Sequence, residues 1–177
     1  MIGHNGGPSV EAGASWRRHC WQAAREALLP VLPIEVLRTR VRRAADLGLD
    51  YRTYASVRAA TGHDVVAFLF SSNALRVGPD RLRMPDGRAE KLALVRADRI
   101  GLARFAEVAA MNPELDRVEC PPDLLAKFGD AGRRLRVILG RVPGDRVLLV
   151  GDMALERDWC AAGRLAGYLP AERYFPL

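Results

Sequence analysis

The sequence predicts an α/β domain with a parallel sheet and helices on both faces, preceded by a helical N-terminal segment. Short apolar runs of strand length alternate with segments whose apolar residues recur at helical spacing, which is the pattern of strand–helix–strand units. The chain has 177 residues, of which 49% are hydrophobic and 27% are charged. This length and this balance suit one globular domain with a core of its own.

The N-terminal part is predicted to hold an arm and a helical segment. Residues 1–14 contain Gly-Gly-Pro and show no periodicity, so we expect a flexible arm. Residues 15–62 form the basic helical segment, with predicted helices at 15–29, 34–47 and 51–60. Pro30 and Gly48 follow the first two of these helices, where helix-terminating residues are expected.

The α/β domain is predicted over residues 63–177, where the pattern changes. Residues 65–70 are a continuous run of apolar, β-branched and aromatic side chains, typical of a buried parallel strand, although periodicity alone leaves a buried helix open. Residues 146–150 form a second such run after a Pro-Gly-Asp turn. The other predicted elements are helices at 89–97, 124–139 and 154–167 and strands at 99–105 and 118–120.

Polar residues follow the predicted strands. Ser71 and Asn73 come directly after the first strand, and Asp152 comes after the strand at 146–150. In an open parallel sheet, ligands bind beyond the carboxyl ends of the strands, so we expect these ends to face one crevice. Asp152 and Asp158 are candidate ligands of Mg²⁺, a cation that prefers oxygen atoms. For Asp152, capping of the following helix is the alternative.

The stretch from 142 to 168 resembles the fourth motif of the haloacid dehalogenase superfamily. That motif is a strand that ends in Gly-Asp, with another Asp shortly after it and a helix with an Ala-Gly terminus; here it is matched by Gly151, Asp152, Asp158 and Ala166-Gly167. The resemblance covers about residues 63–170. It implies a Rossmann-like fold, Mg²⁺-dependent phosphohydrolase chemistry and a functional lysine, for which Lys127 is the candidate.

The chain departs from this superfamily at the first motif. Ser71 and Asn73 stand where the superfamily has the two carboxylates of Asp-x-Asp, and the strand expected to end in Ser or Thr ends at Arg104. A Ser hydroxyl without an adjacent base is a poor nucleophile, and Asn cannot transfer a proton. The resemblance therefore implies a degenerate member without phosphoaspartate chemistry. Another Rossmann-like fold and an α+β arrangement stay open.

Three functions are expected from these observations. The first is a non-catalytic binding or regulatory module, with Ser71, Asn73, Lys127 and Asp152 as candidate site residues. The second is a Mg²⁺-dependent phosphohydrolase that uses Asp152 and Asp158 with a nucleophile still to be identified. The third is a nucleic-acid-binding protein, which the net charge of +6 favours, with a phosphate-binding helix face formed by Arg38, Arg40, Arg42 and Arg43. A solvated helix face is the alternative for these arginines.

Composition excludes several other classes. No apolar run approaches the ~18 residues that cross a bilayer, so we expect a cytoplasmic protein without a membrane partner. Cys20, Cys120 and Cys160 show no CxxC spacing, which argues against a zinc site and a disulfide framework. The phosphate-binding and nucleophile motifs GxxxxGK[ST], GxGxxG and GxSxG are missing. Residues 2–8 resemble the starts of uncharacterised, often prophage-linked bacterial proteins.

Overall fold

The computed structural model describes residues 32–176. The chain divides into two compact units, 1–37 and 38–177. The arm predicted at 1–14 and the helix predicted at 15–29 lie outside the described residues. The predicted helices at 34–47 and 51–60 are confirmed, because helices cover Ile34–Asp46 and Tyr51–Thr61.

The described elements alternate between helix and strand over most of the chain. The helices are α1 (Ile34–Asp46), α2 (Tyr51–Thr61), α3 (Ser72–Leu75), α4 (Asp86–Leu94), α5 (Glu107–Met111), α6 (Phe128–Leu139), α7 (Glu156–Ala162) and α8 (Ala171–Tyr174). The strands are β1 (Ala67–Ser71), β2 (Asp98–Leu102), β3 (Arg117–Glu119), β4 (Val147–Gly151) and β5 (Gly167–Pro170).

These strands form one parallel five-stranded sheet in the order β3-β2-β1-β4-β5. The two continuous apolar runs are neighbours at its centre, where Leu69 of β1 pairs with Ile100 of β2 on one side and with Leu149 of β4 on the other. Every residue of β1 and β4 is buried, as expected for strands covered on both faces. The predicted α/β class with a parallel sheet is confirmed, and residues 67–71 form a strand rather than a helix.

Each face of the sheet has its own hydrophobic core. On one face, Phe68 and Phe70 of β1 pack in a cluster that also contains Ala44 from α1 and Tyr54 from α2. On the other face, the cluster is formed by alternate strand residues and by residues of α6 and α7: Ala67, Leu69, Ile100, Leu102, Ala131, Leu135, Ile138, Leu139, Val147, Leu149 and Trp159. Part of the predicted segment 15–62 therefore contributes to the core of the sheet.

The helix predicted at 154–167 is wrong at its C-terminal end. Helix α7 stops at Ala162, and Gly167–Pro170 forms the edge strand β5. Leu165 N–H donates to the carbonyl oxygen of Cys160 while Arg164 adopts a φ of 51°, which is a left-handed helix ending that glycine usually occupies. Strand β5 has four residues and ends in proline, so it lacks the apolar run that identifies a central strand.

Gly132 controls the approach of α6 to α7. A Cβ atom on Gly132 would lie 2.7 Å from the carbonyl oxygen of Ala162, whereas a Cβ atom on Gly129 would meet only the end of the Arg133 side chain, at 3.7 Å. We expect Gly132→Ala to lower the free energy of unfolding by about 1–3 kcal/mol, because the two helices must move apart. Urea denaturation measures the change. The matched control Gly129→Ala should leave stability equal or slightly raised, and an equal loss in both variants would contradict this account.

Candidate functional site

The crevice predicted at the carboxyl edge of the sheet is present. Strand β1 is flanked by β2 on one side and β4 on the other, so the order of the strands reverses here, and such a switch point is where open α/β sheets bind ligands. A cavity of about 260 Å³ lies at this edge. We call it the edge cleft; its described lining residues are Ser72, Asn73, Val77, Gly78, Pro79, Ala103, Arg104, Phe105, Pro121, Pro122, Leu124, Glu156 and Trp159.

Ser71 has a structural partner for its hydroxyl group. The residue is 1% exposed, and its Oγ accepts a hydrogen bond from Ala74 N–H at 3.1 Å. Ser71 is therefore the N-cap of α3, which begins directly after β1. The residue is absent from the described lining of the edge cleft.

Glu156 is the acid that the structure places in the edge cleft, and the sequence analysis missed it. The residue is 1% exposed. Its Oε2 accepts hydrogen bonds from Asp152 N–H at 2.7 Å and Met153 N–H at 3.1 Å, and its Oε1 accepts one from Asn73 Nδ2 at 2.9 Å. Three donors offset the cost of burying a carboxylate. Asn73 and Glu156 thus join the end of β1 to the end of β4.

Gly151 makes room for this arrangement. A Cβ atom at this position would lie 2.5 Å from Glu156 Oε2 and 2.7 Å from the ring of Tyr168. The glycine of this Gly-Asp dipeptide therefore allows the Glu156 carboxylate to come close to the backbone. An acidic residue four positions after Asp152 was the signal in the sequence that could have identified Glu156.

The other predicted site residues do not meet in the edge cleft. Asp152 is exposed beside it, with only its backbone N–H bonded to Glu156. Lys127 is exposed at the N-cap position of α6, and Asp158 is exposed on α7. Of the four candidates Ser71, Asn73, Lys127 and Asp152, only Asn73 is among the described residues that line the cavity.

The side chains of Glu156 and Asn73 do not offer a Mg²⁺ site. Magnesium demands near-octahedral oxygen ligation, and the Glu156 oxygens already accept hydrogen bonds from three N–H donors. Asn73 presents its amide nitrogen, not its oxygen, to Glu156. Within residues 32–176, no group of three His, Cys, Asp or Glu side chains is placed to hold a metal ion. The metal role of Asp152 and Asp158 stays a prediction.

Near this edge, one nitrogen of an arginine has no hydrogen-bond partner among residues 32–176. The guanidinium carbon of Arg88 lies 4.8 Å from the ring centroid of Phe175, and its Nη1 is buried and unbonded. Burial lowers the pKa of Arg88, the positive charge of Arg76 lowers it further, and the carboxylate of Asp152 raises it. Two arginines therefore lie close together, and the ion pairs formed by the described residues include neither of them.

The arginines predicted to bind nucleic acid differ in their surroundings. Arg43 donates from Nε to Asp64 Oδ2 at 2.9 Å, from Nη2 to the carbonyl oxygen of Val65 and from Nη1 to that of Arg96. These three contacts tie α1 to the chain around β1, which is a structural role. Arg38 and Arg42 are exposed and Arg40 is half-buried. For those three residues, nucleic-acid binding stays a prediction.

No family model, curated protein or solved structure matches this chain. The described helices include none that is long and apolar enough to cross a membrane. Any function must therefore be argued from the geometry of the chain itself.

The hydrogen bond between Asn73 and Glu156 can be tested by moving the carboxylate from one residue to the other. Asn73→Asp places a second carboxylate against Glu156, and we expect it to lower the free energy of unfolding at pH 7 by about 2–3 kcal/mol. The double variant Asn73→Asp/Glu156→Gln should recover part of this loss, because a carboxylate again faces an amide. Urea denaturation of both variants measures the coupling. Additive losses would contradict the proposed pairing.

Replacement of Arg88 should raise the stability of the fold, unlike the replacement of Asn73. Arg88→Met keeps the apolar stem but removes the buried unbonded N–H and the repulsion from Arg76, so we expect stability to rise by about 1 kcal/mol. Thermal and urea unfolding measure the change. The control Arg141→Met removes a charge from an exposed residue and should leave stability within about 0.5 kcal/mol of the parent. A destabilised Arg88→Met variant would contradict this prediction and would show that the ring of Phe175 and the carboxylate of Asp152 stabilise the cation by more than its unbonded N–H and Arg76 destabilise it.

Proposed function

We propose that this chain is a non-catalytic binding module on a degenerate fold similar to that of the haloacid dehalogenases, with the edge cleft as its ligand site. One observation carries the proposal: the polar groups at the carboxyl ends of β1 and β4 are used to hold the backbone. The Ser71 hydroxyl caps α3, and the Glu156 carboxylate accepts from two backbone N–H groups and from Asn73. Neither group is paired with a base or left to attack a substrate.

The strand order supports the same proposal. The order β3-β2-β1-β4-β5 is that of the first five strands of a doubly wound Rossmann-like sheet, in which ligands bind at the reversal between β1 and β4. The edge cleft lies there. A binding module needs this crevice but does not need the two carboxylates of the first haloacid dehalogenase motif, in whose places the chain has Ser71 and Asn73.

The lining of the edge cleft favours a small ligand with an apolar part and an anionic part. Val77, Phe105 and Trp159 supply apolar surface. Arg104 reaches the same cleft, although it is paired with Asp123 at 2.6 Å. Arg76 and Arg88 add positive charge beside Asp152, whose carboxylate offsets part of it. An anionic group near these arginines would relieve their mutual repulsion and supply a hydrogen-bond acceptor.

The aryl phosphate p-nitrophenyl phosphate is a suitable probe, because it combines an aromatic ring with a phosphate group and releases a coloured product if it is hydrolysed. We expect saturable quenching of Trp159 fluorescence by the nitrophenyl group, at millimolar concentration, with no release of p-nitrophenolate in the presence of Mg²⁺. Trp159→Phe should remove the quenching signal, and Arg104→Gln, at the arginine that lines the cleft, should weaken binding by about tenfold, the value of one charge-assisted hydrogen bond.

Two results would overturn the proposal. Release of p-nitrophenolate that depends on Mg²⁺ and disappears in Asp152→Asn would establish the phosphohydrolase alternative. Quenching that does not saturate, or that persists unchanged in Trp159→Phe, would show that the probe does not occupy the edge cleft.

A further inference from the structure

A second concave surface lies beside the edge strand β5. Its volume is about 550 Å³, and its described lining residues are Arg157, Cys160, Ala161, Arg164, Leu165, Tyr168, Pro170 and Arg173. We call it the β5 concavity. Three arginines reach it from three different elements: Arg157 from α7, Arg164 from the turn between α7 and β5, and Arg173 from α8. None of its described lining residues is acidic.

Two of these arginines are held in place by uncharged groups. The guanidinium of Arg157 lies over the ring of Tyr168, 5.1 Å from its centroid, and Arg173 Nη2 donates to Thr53 Oγ1 at 3.0 Å. Burial raises the pKa of Tyr168, with the carboxylate of Glu156 as the next cause, so the phenol stays neutral at physiological pH. A ring or a hydroxyl orients an arginine without cancelling its charge. Arg173 is also attracted by the carboxylate of Asp50, to which Thr53 Oγ1 donates, so its charge is balanced in part.

Other arginines of the described chain are held by acids. Arg99 pairs with Asp116 at 2.8 Å, Arg134 with Glu119 at 3.8 Å, and Arg83 with Glu114. The positive charge of each of these arginines is therefore balanced by a neighbouring carboxylate. The three arginines of the β5 concavity belong to none of the ion pairs formed by residues 32–176.

Arg164 also occupies a backbone position that is costly for an arginine. Its φ of 51° lies in the left-handed region, where a non-glycine residue is disfavoured by about 1 kcal/mol. Glycine or asparagine would end α7 at lower cost. A binding role for the Arg164 side chain in the concavity would explain why this position holds an arginine.

We propose that the β5 concavity binds linked phosphate groups, as found along a single strand of nucleic acid or in a polyphosphate. Guanidinium groups match phosphate oxygens with paired N–H donors. Three of them, spread over one open surface, can contact more than one phosphate at a time. This site is separate from the edge cleft and from the arginines of α1, so it goes beyond the function proposed above.

The test uses the full chain and a fluorescein-labelled twelve-residue oligothymidylate, followed by fluorescence anisotropy at several salt concentrations. We expect binding that weakens steeply as salt rises, because arginine–phosphate contacts release counterions. The double variant Arg157→Gln/Arg164→Gln should weaken binding by at least about tenfold and reduce the salt slope by about two, one for each phosphate contact removed.

The matched control is Arg96→Gln/Arg141→Gln, which removes the same net charge from exposed residues outside the concavity. It should keep the parent affinity within about a factor of two, the change expected of a long-range charge effect. Thermal unfolding of both double variants shows that they remain folded. Equal weakening in both, or no salt-dependent binding of the parent, would overturn the proposal.

Competition with inorganic tripolyphosphate distinguishes the two sources of phosphate. Displacement of the oligothymidylate at a comparable concentration of phosphate groups would point to a free polyphosphate or nucleotide as the natural ligand. Displacement only at a large excess would point to a nucleic acid strand. In both cases, Arg157→Gln/Arg164→Gln should leave quenching of Trp159 by p-nitrophenyl phosphate unchanged, so failure of one site is distinguished from failure of the other.

Discussion

The buried carboxylate of Glu156 is the interaction on which the functional edge of this fold depends. It accepts hydrogen bonds from the N–H groups of Asp152 and Met153, where the chain leaves β4, and from the amide of Asn73, where the chain has just left β1. Hydrogen bonds to a charged group contribute about 1.5–3 kcal/mol each, which offsets the several kcal/mol that burial of an ion costs. Strands β1 and β4 are neighbours along their length, and Glu156 extends this contact past their ends.

The hydrogen bonds of Glu156 give its carboxylate a structural role in place of a catalytic one. A carboxylate in a crevice is commonly a base, an acid or a metal ligand, but each of these roles requires an oxygen that can face the substrate. Here the N–H donors occupy both oxygens, and Gly151 lets them approach by having no Cβ atom. The Ser71 hydroxyl is occupied in the same manner by α3. At this end of the sheet, Ser71 and Glu156 therefore stabilise the backbone where the chain leaves β1 and β4.

The sequence analysis predicted the centre of the fold better than its periphery. Strands β1 and β4 are buried on both faces, and this leaves a continuous apolar run in the sequence that is readily identified. Strand β5 lies at the edge, consists of Gly167–Pro170, and leaves no such run. The polar residues after β1 and β4 correctly predicted a cavity at the carboxyl edge of the sheet. Glu156 was missed because two of its three partners are backbone N–H groups, so that only its position four residues after Asp152 marked it in the sequence. Asp158 was chosen instead, although α7 begins at Glu156 and carries Asp158 to solvent.

The arginines of the described chain differ in whether a carboxylate balances their charge. Most of the ion pairs of the described residues contain an arginine whose charge is balanced by a nearby carboxylate. Arg43, which ties α1 to the rest of the domain, is paired with Asp64 in this way. The described residues with positive φ other than glycine are Arg76 and Arg164, and neither forms an ion pair there. One lies near the edge cleft and the other in the β5 concavity. A left-handed backbone at a residue other than glycine is a cost to the folded state, and its occurrence at two arginines outside the described ion pairs is consistent with the anion binding proposed above.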